Sequence, residues 1–318
     1  MPYLKYARQY PFELLTLAAA GLACAYIYLL TVYPACATDC AALHRSIIDG
    51  TAASPYLYRV LSVFAVEALA QLIPGESLTA NAAAYTVGHA LAMPAMLIAV
   101  WVWLRTRVTA QAAMTGALLL ALLTMVGVQN WGISLYTPVE VALFAVGLLV
   151  MDRPLRFVLV IALSALNRET AFVLVAVWAV KFWPWWRYWR YWVHLAGYSA
   201  VFVFVYGGLM LLRGAESNLG SIGAVWAANT GYWLPYALLH NLIALPIWLA
   251  AWLTWRSADR RLLLALAPYV VMVLAFGQWH EIRLWFVPFV MLLPALLQRF
   301  EGSVFDERLS SAQQSDQL

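Results

Sequence analysis

The chain contains apolar runs longer than the interior of a water-soluble domain calls for. Phe12–Pro34, Ala82–Leu104 and Tyr236–Trp255 each hold enough residues to cross a hydrocarbon core, for which a helix needs about 20. The last two hold no Asp, Glu, Lys or Arg, and the first holds only Glu13. Backbone groups in lipid find no water, so each must be satisfied within its own segment or within a closed barrel. A barrel would alternate apolar and polar positions in segments of about 10 residues, and these runs do not. Composition agrees with helices in lipid. Only 11% of the residues are charged, against about 25% in soluble domains. The expected fold is therefore all-α, a polytopic integral membrane protein. Phe12–Pro34 exceeds the apolar region of a signal peptide, about 7–15 residues, and lacks a small-residue cleavage site. It is expected to stay as the first membrane helix.

Charge sets the topology. The net charge is +4, yet the basic residues sit in short clusters beside the apolar runs, where the positive-inside rule accounts for them without nucleic acid. The clusters are Lys5/Arg8, Arg105/Arg107, Arg153/Arg156, Lys181/Arg187/Arg190, Arg256/Arg260/Arg261 and Arg299/Arg308. If all face the cytoplasm, the chain crosses an even number of times between neighbours. Thr109–Val128 with Pro138–Met151, Leu155–Leu166 with Thr170–Trp183, Val193–Leu212 with Tyr236–Trp255, and Leu262–Gly277 with Leu284–Gln298 supply such pairs. Between Lys5 and Arg105 there are three stretches, however. The middle one, Tyr56–Pro74, carries Arg59, Glu67 and Gln71, which are costly in lipid. It is expected to lie at the outer interface without crossing.

The result is about ten transmembrane helices in an inner membrane, with both termini cytoplasmic. Residues 1–298 form one transmembrane domain, 35–81 an outer-face juxtamembrane region, and 299–318 a polar, disordered cytoplasmic tail. If Leu155–Trp183 is a single tilted helix, the parity fails. The block Trp183–Trp192 suits an interfacial aromatic belt or a contact with anionic lipid. Cys24 suits packing. Cys36 and Cys40 suit either a disulfide in an oxidising compartment or two free thiols. The sequence leaves cofactors open, a divalent metal among them, and shows no clear metal site.

This topology gathers polar residues on the outer face. Asp39, His44, Asp49 and Arg59 come first, then Gln129, Asn130 and Glu140. Asn167-Arg168-Glu169-Thr170 forms the hairpin tip, and His280-Glu281-Ile282-Arg283 precedes the last helix. Each group alone fits a helix cap or a structural ion pair. Together they are notable, because ionisable groups at membrane depth are costly and tend to be functional. Arginine meets phosphate oxygens with two parallel hydrogen bonds, and a carboxylate beside it can take a proton from a hydroxyl. No Walker loop, dinucleotide fingerprint or zinc helix is present.

The order of these features resembles the GT-C superfamily of membrane glycosyltransferases that use polyprenyl-phosphate sugars, in particular the protein O-mannosyltransferase and aminoarabinose transferase branch. Thr38-Asp39 and the amphipathic Ala41–Gly50 resemble that branch's acidic residue after the first helix. Pro55-Tyr-Leu-Tyr-Arg-Val60 running to Ile73-Pro-Gly75 resembles its juxtamembrane helix. Tyr136-Thr-Pro-Val-Glu140, Leu166-Asn-Arg-Glu-Thr170 and Glu281-Ile-Arg-Leu-Trp-Phe-Val-Pro288 resemble later motifs in the same order. The resemblance implies a GT-C-like fold and transfer of a sugar from a polyprenyl-phosphate donor to an acceptor at the extracytoplasmic face. Membrane lipid would surround the protein. Asp39 would be the catalytic base. Arg59, Arg168, His280 and Arg283 would hold the donor phosphate, and His44, Glu140, Glu169 and Glu281 would orient these groups or the sugar. The chain departs from the family at Cys40, where a second acid is usual, and at Arg168-Glu169, where Lys-Gly is usual. Two other functions fit the same groups: a flippase or transporter for lipid-linked sugars, and a non-catalytic membrane assembly subunit. A flippase calls for polar residues through the midplane, where only His89 and His240 stand out.

Overall fold

The computed structural model describes residues 10–31, 33–52, 56–75, 77–127, 135–214, 244–256, 260–276 and 282–315. The side chains of 33–40, 77–78, 276, 282 and 302–315 lie outside that description. Among the described residues every regular element is a helix. In chain order these are α1 (Pro11–Thr31), α2 (Tyr33–Ile48), α3 (Val60–Ala70), α4 (Ser77–Leu104), α5 (Ala110–Gly127) and α6 (Tyr136–Val150). Then follow α7 (Pro154–Asn167), α8 (Phe172–Lys181), α9 (Trp189–Arg213), α10 (Leu245–Trp255), α11 (Arg261–Phe276) and α12 (Phe286–Ser315). Among the described residues, four helical stretches are long and apolar enough to cross a membrane: Pro11–Thr31, Thr79–Leu104, Trp189–Arg213 and Arg283–Glu301. Their outer faces are strongly apolar. Phe204 on α9 is 83% exposed and Leu212 85%, a surface that suits lipid rather than water.

The helices run between two chemically different ends. At one end, Arg105 Nη2 donates to the Tyr10 hydroxyl at 2.9 Å, and Gln298 Nε2 donates to the Arg107 carbonyl at 3.3 Å. The Glu301 carboxylate accepts from the Thr109 amide at 2.9 Å. Arg107, Lys181 and Arg261 line one cavity there, so this end gathers cationic loops as the charge parity expects. At the opposite end lie Arg59, Glu140, Arg168 and Glu169, joined side chain to side chain.

Lys181 Nζ reaches Asp152 Oδ1 at 3.1 Å. Asp152 precedes α7 and Lys181 ends α8, so these helices double back as a hairpin and are not one tilted rod. The exposed pair itself adds little, about 0–1 kcal/mol. The break falls at Arg168, which adopts an extended backbone (φ −165°, ψ 149°) between the two helices. With 14 and 10 residues, the arms are roughly 21 and 15 Å long at 1.5 Å per residue. Both are shorter than a hydrocarbon core of about 30 Å.

α3 also stays at one end. Tyr10 beside Arg105 puts the start of α1 next to the end of α4, and Tyr28 near the far end of α1 stacks on His89 of α4 at 4.0 Å. The chain goes up α1 and returns by α4, with α2 and α3 between them. Val66 and Ala70 of α3 pack on Ala80 and Ala84 of α4. At 11 residues α3 is about 16 Å long. α1 and α4 touch backbone to backbone: a Cβ on Gly21 would lie 2.5 Å from the Pro94 Cα, the small-residue contact that membrane helices favour.

Two boundaries differ from the sequence expectation. α2 begins at Tyr33 rather than Ala41, with Pro34 in its first turn, where the missing N–H leaves no bond unmade. α12 runs on to Ser315, past the Gln298 expected to end the last membrane segment. Glu301 fastens it to Thr109.

Single-cysteine variants in a background free of native cysteine test the end-to-end order. Leu72→Cys, at the exposed end of the α3 turn, and Thr106→Cys are expected to label from opposite faces of intact vesicles. Labelling of both from one face would mean that α3 crosses.

Candidate functional site

The polar end is built on Tyr136, the first residue of α6. The Arg59 guanidinium lies 4.8 Å from the centre of its ring and the Arg168 guanidinium 5.6 Å. Its hydroxyl accepts from Arg283 Nη1 at 3.2 Å, and its carbonyl accepts from Asn167 Nδ2 at 2.8 Å. Three arginines from distant parts of the chain thus converge on one tyrosine. Cations over an aromatic face gain most where water is excluded, and all three arginines are buried.

Carboxylates thread the arginines together. Arg59 grips Glu169 with two bonds, Nη2 to Oε1 at 2.6 Å and Nε to Oε2 at 3.3 Å. Arg168 Nη1 donates to Glu140 Oε2 at 2.5 Å, and the Thr170 hydroxyl donates to the other oxygen of Glu140. Arg168 Nε stands 3.8 Å from Glu169 Oε1, too far for a hydrogen bond. The extended residue at 168 turns its side chain toward α6 while 169 faces α3. Ser62 of α3 donates to Asn167 Oδ1 at 2.5 Å, which holds the hairpin tip against α3. Tyr269 of α11 donates to the Leu284 carbonyl and so steadies the turn that carries Arg283.

A second polar group stands beside the first. His44 Nδ1 lies 3.0 Å from the Tyr85 hydroxyl, and its Nε2 lies 3.0 Å from Glu67 Oε2. His89 Nδ1 lies 2.9 Å from the Tyr85 carbonyl. This chain ties α2, α3 and α4 together. The hydrogen bond from His44 holds the Glu67 carboxyl below its ordinary value of 4.5, against a smaller opposing effect of burial and with help from Gln71.

Arg59, Glu140, Arg168, Glu169 and Arg283 therefore meet in one cluster. His44 does not touch it; the histidine is a buried strut between Tyr85 and Glu67. Asp39 lies within α2 rather than in a loop, and its side chain is outside the described residues, as are His280 and Glu281. Among the described residues no group of three or more His, Cys, Asp or Glu could hold a metal ion. Sequence reasoning gave no role to Tyr136, Ser62 or Asn167, although Tyr136 and Asn167 lie in stretches it singled out. Tyr136 gave a signal: an aromatic residue one turn before a membrane-depth glutamate, on the same helix face.

Removing one partner of a buried pair leaves an uncompensated charge and costs about 3–5 kcal/mol, whereas replacing both by apolar residues is close to neutral. Glu140→Leu is expected to lower the melting temperature of the purified protein sharply, and Arg168→Met added to it is expected to recover most of the loss. Equal stability of single variant and wild type would show that the pair carries no buried charge.

Glu67 gives a pH signature. A carboxylate held low contributes stability that is complete above its ordinary value and is lost as pH falls through its lowered one. Glu67→Gln is expected to lower the melting temperature at neutral pH, where the contribution is complete, and to flatten the fall in melting temperature as pH drops below about 4.5. An unchanged acid limb would remove Glu67 from this role.

Compared with known proteins, the chain matches no family model, no curated protein and no solved structure.

Proposed function

We propose that this protein is a membrane glycosyltransferase of about ten crossings. It would take a sugar from a polyprenyl-phosphate donor at its polar, extracytoplasmic end, with the cationic end toward the cytoplasm. The observation that carries this proposal is the convergence of Arg59, Arg168 and Arg283 on Tyr136 at one end of an apolar helical bundle. A guanidinium cluster at membrane depth suits an anion that arrives attached to a lipid, since phosphate oxygens match the paired N–H groups of arginine. The short hairpin supports it: the tip at Arg168 lies about 21 Å along α7 from the basic end, inside a hydrocarbon layer of about 30 Å. A polyprenyl phosphate can reach that depth, and a soluble sugar nucleotide is poorly suited to it.

In this scheme Asp39 takes the proton from an acceptor hydroxyl. The hydroxyl oxygen attacks the anomeric carbon, and the bond from that carbon to the donor phosphate breaks. Arg59 and Arg283 hold the departing phosphate, and Glu140 and Glu169 fix the arginines. Arg168 is the most deeply paired of the three and acts mainly as a brace. Loss of a positioned base lowers rate by about 10²–10⁴-fold.

A structural role is favoured by one specific observation: Arg59 and Arg168 already hold carboxylates in close pairs. In that case the cluster only pins α3, α6 and the α7–α8 tip, as it would in an assembly subunit. The two roles separate in one assay, transfer and binding of a panel of polyprenyl-phosphate sugars by purified protein. Under the transferase proposal Asp39→Asn abolishes transfer and keeps donor binding and stability. Arg283→Ala weakens donor binding. If wild type binds and transfers no donor while Arg283→Ala only lowers stability, the cluster is a brace. If wild type binds donor without transfer and moves it across vesicles, the protein is a flippase.

A further inference from the structure

The basic end holds a cavity of about 210 Å³. Its walls are apolar, with Trp103, Leu148, Met151, Val177 and Met291 among them, and Arg107, Lys181 and Arg261 line it as well. These three cations come from the turn after α4, the end of α8 and the start of α11, so three separate pieces of chain converge on one space. At about 30 Å³ per water the space would hold roughly seven waters, room for a phosphate with a small attached alcohol.

The helix ends do not account for all of this charge. Lys181 sits in the last turn of α8, where a cation favours the carbonyl end of the dipole, and it is partnered by Asp152. Arg261 is the first residue of α11, where the dipole disfavours a cation. Its position beside the cavity calls for an anion. The surrounding surface identifies what sort. Trp183, Trp185, Trp186 and Trp189 are exposed at the same end, with Arg187 over the Trp186 ring at 5.6 Å. Indole and arginine together mark the headgroup level of a bilayer.

We propose that this cavity binds the headgroup phosphate of an anionic phospholipid, with its acyl chains lying along the neighbouring apolar faces. The site is distinct from the Tyr136 cluster at the other end and independent of any transfer reaction there.

The test uses full-length protein reconstituted in nanodiscs of equal phosphatidylglycerol and phosphatidylcholine, followed by mild delipidation and quantification of retained lipid. Wild type is expected to retain phosphatidylglycerol preferentially. One Lys or Arg near an anionic surface is worth about 1 kcal/mol, roughly fivefold in binding. Arg261→Gln is therefore expected to lower the preference about fivefold, and Met291→Trp, which fills the cavity and leaves its charge, to abolish it. Arg153→Gln with Arg156→Gln removes exposed charge from the same end but outside the cavity, and is expected to keep the preference. Three results would overturn the proposal. One is equal retention of the two lipids by wild type. Another is an equal fall in the Arg153/Arg156 variant, which would point to diffuse surface charge. The third is displacement of the lipid by millimolar inorganic phosphate or glycerol phosphate, which would assign the cavity to a soluble anion.

Discussion

Burying an arginine away from water is tolerable only when the guanidinium is hydrogen-bonded and matched in charge, and at the polar end this requirement organises the surrounding fold. Arg168 meets it through Glu140 on α6, and Glu140 in turn needs Thr170, which fixes the start of α8. Arg59 meets it through Glu169, which fixes the start of α3 against the hairpin tip. Four elements are thus placed by five charged or hydroxyl side chains. In a bundle whose core contacts are mostly apolar and can slide, such pairs define one register. Apolar packing contributes most of the contact area but distinguishes weakly among neighbouring registers.

The two ends of the bundle solve the charge problem differently. At the basic end most cations are exposed and need no partner, so their loops tolerate many arrangements. At the polar end the groups lie on short helices and are enclosed by α2 and α3, so each must be answered by another side chain. α9 illustrates the contrast within one helix. Its first turns carry exposed indoles, and its last residue, Arg213, reaches back to the Ile47 and Leu57 carbonyls. A π-helical turn at Val203–Gly207 shifts its register between them and brings Tyr206 to 5.7 Å from Tyr58.

The helical class and the order of the ends were legible in the sequence because both depend on long-range averages, hydropathy and basic clustering. Arg59, Glu67 and Gln71 set α3 apart in the sequence, and in the fold it lies at the polar end, packed on α4. The polar residues at Glu140 and Arg168-Glu169 were legible as an ensemble because charges at membrane depth are rare. Their pairing was not. Glu140 and Arg168 are joined across the α6–α7 turn, and nothing in local spacing says that Arg168 faces Glu140 while its neighbour Glu169 faces Arg59. That depends on the extended backbone at 168. Tyr136 was missed for a related reason: in an aromatic-rich chain its place one turn before Glu140 stands out only once its neighbours are known. The start of α2 and the length of α12 were misjudged because single anchors, Pro34 and Glu301, set them.

The pairing also sets the order in which an incoming anion would meet the cluster. Arg168 and Glu140 are both almost wholly enclosed, and their bond is shielded on all sides, so displacing Glu140 would expose a carboxylate to an apolar surrounding. Glu169 is the more accessible acid, with a side chain 19% exposed against 8% for Glu140. An anion approaching from the polar end therefore meets the Arg59–Glu169 pair first. It can share Arg59 because that guanidinium has further N–H groups beyond the two that hold Glu169. Arg168 stays braced throughout, and its charge is felt through the Tyr136 ring rather than by contact. A rigid inner pair and an accessible outer pair would let one cluster fix helix register and, under the proposed function, meet an anion at Arg59.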